Sequence, residues 1–239
     1  MITKFTTVYA GHVDLPDRGQ NATPAHERRH SNEHLASVFD KTEAIAKKMD
    51  ELGFEILWLA EHHFQHEGYE CIPNDLMLAV HLAHLTKNLK IGCAFNIAPM
   101  WHPLRLAEDV ATADILTKGR TIFGVGRGYH TREVETFGAP MLDQEANREL
   151  FEEQVEAVSR RGSWAAAGVP TVEHYMDLGS WFAGTPGQLV DRLKGFEERY
   201  PGMQHISLSS PIGTPEPIML EQFQWLGEEV MPAFRTGRR

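Results

Sequence analysis

The chain has 239 residues, 42% hydrophobic and 23% charged, an ordinary balance for a globular protein with one sizeable core or two small ones. A formal net charge of −10 argues against a nucleic-acid partner, which usually requires a basic face. No apolar run is long enough for a bilayer, no signal-peptide h-region follows Met1, and the two cysteines, Cys71 and Cys93, are too few for a disulfide framework, so no membrane contact and a cytoplasmic location are expected.

In chain order, strands and helices alternate. Thr3–Ala10 reads as a strand, followed by polar loop to about Ser31. Leu35, Val38, Ile45, Met49 and Leu52 recur at helical spacing, with Ser31 or Asn32 as cap and Gly53 as stop. Phe54–Ala60 is a short apolar run, as in a strand buried on both faces. A helix is expected over Asp75–Lys87, a strand over Lys90–Phe95, and a helix from Pro103 to about Lys118. A strand over Arg120–Val125 and a helix from Gln144 to about Arg160 follow. After a shortened connector near 159–179 come a helix over Pro186–Tyr200, a strand over His205–Ser209 and a helix from Pro215 to about Phe234. Thr185 and Thr214 each precede a proline and read as N-caps, and Thr185 with Gln188 forms a capping box.

Strand-then-helix units imply a parallel sheet. A (β/α) barrel and an open doubly wound sheet both satisfy that order. Glu61-His62-His63, Asn96 and Arg127 decide between them, because each directly follows a different strand. A barrel gathers all its carboxyl ends at one mouth, whereas an open sheet uses only its switch point. The barrel is favoured, but a complete one takes about 250 residues and eight units. About five or six strands fit here, so an incomplete α/β TIM barrel is expected as a single domain over residues 1–239.

The chemistry-bearing residues are few. Glu61, His62 and His63 are catalytic candidates, since imidazole accepts and donates protons near neutral pH. His62 with His66, and His63 with Glu67, have four-residue spacing, but they leave a strand and lack the His-Glu-x-x-His order, so no metal centre is expected. In Gly124-Val125-Gly126-Arg127-Gly128, bare backbone and a guanidinium suit a phosphate or a heterocycle carbonyl. The spacing is not that of a dinucleotide fingerprint. Asn96 either binds a ligand or opens a turn.

Taken together, Phe54–Phe64 with Trp58-Leu59-Ala60-Glu61-His62-His63-Phe64, Ala94–Ala107, and Thr117 through Tyr129 resemble the luciferase-like flavin monooxygenases. Ser180-Trp181-Phe182 and Val230–Phe234 resemble the end of that family's chain. The resemblance implies FMN at the carboxyl mouth, with His62 as catalytic histidine and Asn96 beside the isoalloxazine. It places Arg127 and Arg148 near the flavin phosphate and a non-proline cis bond at Ala94–Phe95, so Ala94 and Phe95 join Gly126 and Gly128 as cofactor-binding candidates. Relatives carry further units between the fourth helix and Ser180 that are missing here.

The function expected is FMN-dependent oxygenation of a small apolar organic substrate by reduced flavin and O2. No nicotinamide fingerprint is present, so a separate flavin reductase is implied. The opened barrel suggests a homodimer. The alternatives are a deazaflavin-dependent oxidoreductase and a catalytically degenerate flavin-binding or protein-interaction remnant.

Overall fold

The computed structural model describes residues 2–17, 23–140, 142–154 and 181–235. Its elements are β1 (Lys4–Tyr9), α1 (Asn32–Leu52), β2 (Ile56–Leu59), α2 (Asp75–Leu85), β3 (Lys90–Cys93) and β4 (Asn96–Ile97). There follow α3 (Pro103–Thr117), β5 (Thr121–Ile122), β6 (Val125–Gly126), α4 (Thr131–Val134) and α5 (Gln144–Gln154). The C-terminal part supplies α6 (Pro186–Arg199), β7 (His205–Ser207), α7 (Glu216–Trp225), a π-turn over Leu226–Val230, and α8 (Pro232–Arg235).

Five strands form one parallel sheet in the order β5-β3-β2-β1-β7. β1, β2, β3 and β5 follow one another across the sheet, and β7 returns to the far side of β1. The last strand lies beside the first, as the final strand of a closed barrel does, but the outer edge of β5 pairs with no further strand among the described residues. The fold is therefore an incomplete (β/α) barrel. The shortened connector lies outside the described residues.

Helices cover the convex face. Val38, Ile45, Ala46 and Met49 on α1 meet Phe5, Tyr9, Leu57 and Leu59 from the strands. Phe54 and Phe223 pack edge to face at 5.6 Å, and Phe5 and Phe234 at 5.9 Å, fastening the C-terminal helices to the start of the chain. On the concave face Trp58 pairs in register with Gly92, and a Cβ there would lie 2.1 Å from its ring.

Several boundaries follow expectation for the stated reasons. Ser31 accepts from the His34 N–H, and Gly53 ends α1 at φ 76°. Thr185 and Gln188 form the reciprocal capping box. Thr214 does not cap α7: its hydroxyl donates to Pro211 O at 2.6 Å, and its carbonyl accepts from the buried Lys41 Nζ at 2.7 Å. The single strand expected over Arg120–Val125 breaks into β5 and β6. Gly124 lies against the backbone there, where a Cβ would be 2.1 Å from Cys93 O. The strand expected over Lys90–Phe95 likewise ends at Cys93, and the following Ala94–Phe95 peptide is cis. No described helix is long and apolar enough to cross a membrane.

Candidate active site

The carboxyl ends of β2, β3 and β5 converge on one mouth. His62 sits there, 6% exposed. Its Nδ1–H donates to Glu133 Oε1 at 3.2 Å, and Glu133 also accepts from Gln65 Nε2 at 2.9 Å. Burial raises the Glu133 carboxyl, but the hydrogen bonds from His62 and Gln65 outweigh it and hold the group below the ordinary carboxylate range. Nε2 lies 3.3 Å from the Tyr129 hydroxyl and 3.4 Å from Glu70 Oε1. Burial, then Glu70 and Glu133, push the Tyr129 phenol up.

Glu61 and His63 flank His62 but face away from its Nε2. Glu61 is 1% exposed and accepts from Ile97 N at 2.9 Å, Trp101 Nε1 at 3.0 Å and Asn96 Nδ2 at 3.2 Å. His63 Nε2 donates to Glu61 Oε1 at 3.1 Å, and its ring meets Phe137 edge to face at 4.7 Å. One carboxylate thus locks the β2 end to the β4 segment.

Asn96 is fully buried, and its Oδ1 has no hydrogen-bond partner among the described residues. A buried unpaired acceptor is costly, so it marks a place that a donor should fill. Gly126 packs against Phe95 and Ile97, and Gly128, at φ 80°, against Val134 and Ile97. Arg127 is partly exposed between them, and its guanidinium has no ion pair among the described residues. Arg148 is different. Its guanidinium is clamped by Glu145 and Glu152, and these pairs raise its pKa further. Glu61 thus ties the His62 segment to Asn96, and the β4–β6 pairing sets Asn96 opposite Val125 and Ile97 opposite Gly126, which Arg127 and Gly128 follow. Arg148 lies on α5, the helix whose Asn147 Nδ2 approaches Arg127 O at 3.5 Å.

Glu133, Tyr129, Glu70 and His130 were not among the candidate residues. Only His130 carried a local signal, as a second histidine just after the glycine run.

The family model for luciferase-like monooxygenases matches residues 19–164, more than half the chain. The chain belongs to the luciferase-like monooxygenase family. It is 35% identical over 114 residues to the alkanal monooxygenase alpha chain of Photorhabdus laumondii, covering 48% of this chain and 31% of that one. This chain therefore spans about a third of the length of that curated relative. Among solved structures it is similar to the monooxygenase RslO1 from Streptomyces bottropensis, with a TM-score of 0.69 at 16% identity. That match covers 97% of this chain and 99% of the other, so the same shortened architecture recurs in that protein. The oxygenating constituent of 3,6-diketocamphane monooxygenase from Pseudomonas putida, in complex with FMN, matches 72% of this chain and 44% of its own, with a TM-score of 0.53 at 20% identity.

Proposed function

We propose that this luciferase-like chain is a monooxygenase that binds FMN at the β2–β3–β5 mouth and oxygenates a small apolar organic substrate with O2. The observation that carries the reading is the buried, unpartnered Asn96 Oδ1, in a segment that Glu61 ties to the end of β2. The donor set fits a flavin: an acceptor for a ring N–H and a cation for the phosphate. The alkanal monooxygenase and the FMN-complexed neighbour support the same choice.

Bound reduced flavin would supply the electrons and the site of reaction with O2. The chain's own residues would do the rest. His62 Nε2 would accept or return a proton at the flavin's reactive edge, its ring held by Glu133 at Nδ1. Glu61 and His63 would fix the backbone that presents His62 and Asn96. Arg127 would hold the phosphate, joined by Arg148 on release from its exposed partners. Phe64, Phe95, Phe123 and Phe137 leave apolar surface at the carboxyl ends, which suits an apolar substrate and the exclusion of water.

A separate flavin reductase is the proposed source of reduced FMN. A homodimer is proposed as well, because α3 exposes Leu104, Ile115 and Leu116 and the β5 edge is open. The clamped Arg148 is the observation that favours the second reading, a flavin-binding barrel without turnover.

The test is oxygen uptake by the full chain with reduced FMN and a long-chain aldehyde. His62→Ala should lower product formation roughly 100- to 10,000-fold while FMN stays bound. Equal product formation by the variant would remove His62 from the chemistry. Deazaflavin dependence without oxygen uptake would identify the oxidoreductase variant.

A further inference from the structure

His62, Glu70 and His130 come from two separate loops, yet each offers one ligand atom, and these atoms all lie within 4.8 Å of one another. Glu70 Oε1 is 3.4 Å from His62 Nε2, and Glu70 Oε2 is 3.5 Å from His130 Nε2. In a tetrahedral site with imidazole and carboxylate bonds of about 2.0–2.2 Å, ligand atoms stand roughly 3.3–3.5 Å apart. The two Glu70 oxygens match that spacing one to each imidazole, and the three single ligand atoms, within 4.8 Å, need a small inward shift to hold one ion.

A second, independent feature points the same way. Glu133 engages His62 Nδ1, which directs the lone pair of Nε2 toward Glu70 and His130. A carboxylate behind a ligating histidine, fixing its tautomer and ring orientation, is the usual outer support of a metal-bound imidazole. Glu133 is itself braced by Gln65, and Gln65 by Arg132, so the support is rigid. The Tyr129 hydroxyl lies 3.5 Å from Glu70 Oε1 and lines the remaining side. The side chain of His130 is 36% exposed, and its ring meets that of His62 edge to face at 5.3 Å.

We propose that His62, Glu70 and His130 form a binding site for a divalent first-row transition metal of the Zn2+ class. Two imidazoles and one carboxylate are borderline ligands suited to that class, and three protein ligands leave an open position for water. The neighbouring Glu133 adds negative charge that favours a dication. The ion takes the Nε2 lone pair of His62, so metal binding and proton exchange at that atom are mutually exclusive. This last consequence rests on the flavin reading; the metal site does not.

The test uses the full chain, stripped with chelator and titrated with Zn2+ by calorimetry and with Co2+ by visible absorption. No flavin or turnover is needed, so its failure is separate from failure of the oxygenase reading. One saturable site is expected, with a Co2+ spectrum free of thiolate charge transfer. His130→Ala and Glu70→Gln should each weaken Zn2+ at least about tenfold, while His66→Ala, which tests the sequence-spaced pair, should leave it unchanged. Circular dichroism checks that each variant folds, and the wild-type Co2+ spectrum does not depend on them. No saturable uptake, a thiolate band implicating Cys71, wild-type affinity in both ligand variants, or loss in His66→Ala would overturn the site.

Discussion

His62 and Glu133 lie 71 positions apart in sequence, and their side chains meet at 3.2 Å in the buried mouth of the half-barrel. The bond fixes which nitrogen of His62 carries a proton and which way the ring faces. Glu133→Gln keeps an acceptor but loses the charge. On the oxygenase reading it should lower kcat about tenfold or more, with FMN affinity and substrate KM little changed. An equal change in KM and none in kcat would mean that Glu133 only shapes binding.

Arg120 fastens the end of α2 to β5. Its guanidinium donates to Thr86 O at 3.2 Å, Thr86 Oγ1 at 3.1 Å and Ala83 O, and its Nε donates to Thr117 O at 3.2 Å. These carbonyls lie at helix ends that lack intrahelical partners, where a cation is favoured. Arg120→Met should destabilise the fold by about 2–4 kcal/mol, measured by urea unfolding. A loss below about 0.5 kcal/mol would show that water replaces the guanidinium at no cost.

Trp58 and Gly92 form a close pair on the concave face. Gly92→Val should cost about 1–3 kcal/mol, because the indole must leave its rotamer. Adding Trp58→Leu should recover part of that loss, which a double-mutant cycle reads as coupling. Simple additivity would separate the two residues.

Asp75 is fully buried at the start of α2, and neither carboxylate oxygen has a hydrogen-bond partner among the described residues. Burial, then the nearby Glu61, push its pKa well above the ordinary carboxylate range. The folded state therefore holds a proton that the unfolded chain releases near pH 4. Asp75 costs no stability below that pH, and its cost grows as pH rises toward the folded pKa. Asp75→Asn should raise stability at pH 7 and flatten its fall between pH 4 and 7. An unchanged profile would mean that Asp75 is ionised in the folded protein.

The elements that hold the site were readable where local chemistry decides them. The Ser31 cap, the Gly53 stop and the Thr185–Gln188 box each depend on residues within a few positions of one another. Glu61, His62, Asn96 and Arg127 stood out because each follows a strand that periodicity reveals. Their supporting partners did not. Glu133 reaches His62 from a four-residue helix with no amphipathic signal, and Glu70 comes from an irregular loop. Thr214 shows the same limit, since a cap-like sequence yields to Lys41, 173 positions away. Such pairings come from tertiary packing, which spacing along the chain does not encode.

The most direct measurement is titration of the full chain with FMN, oxidised and reduced, followed by flavin fluorescence. The expected result is saturable 1:1 quenching in at least one redox state, weakened about tenfold or more by Arg127→Ala. Absence of saturable uptake in both states would contradict a flavin site at the mouth built by His62, Asn96 and Arg127.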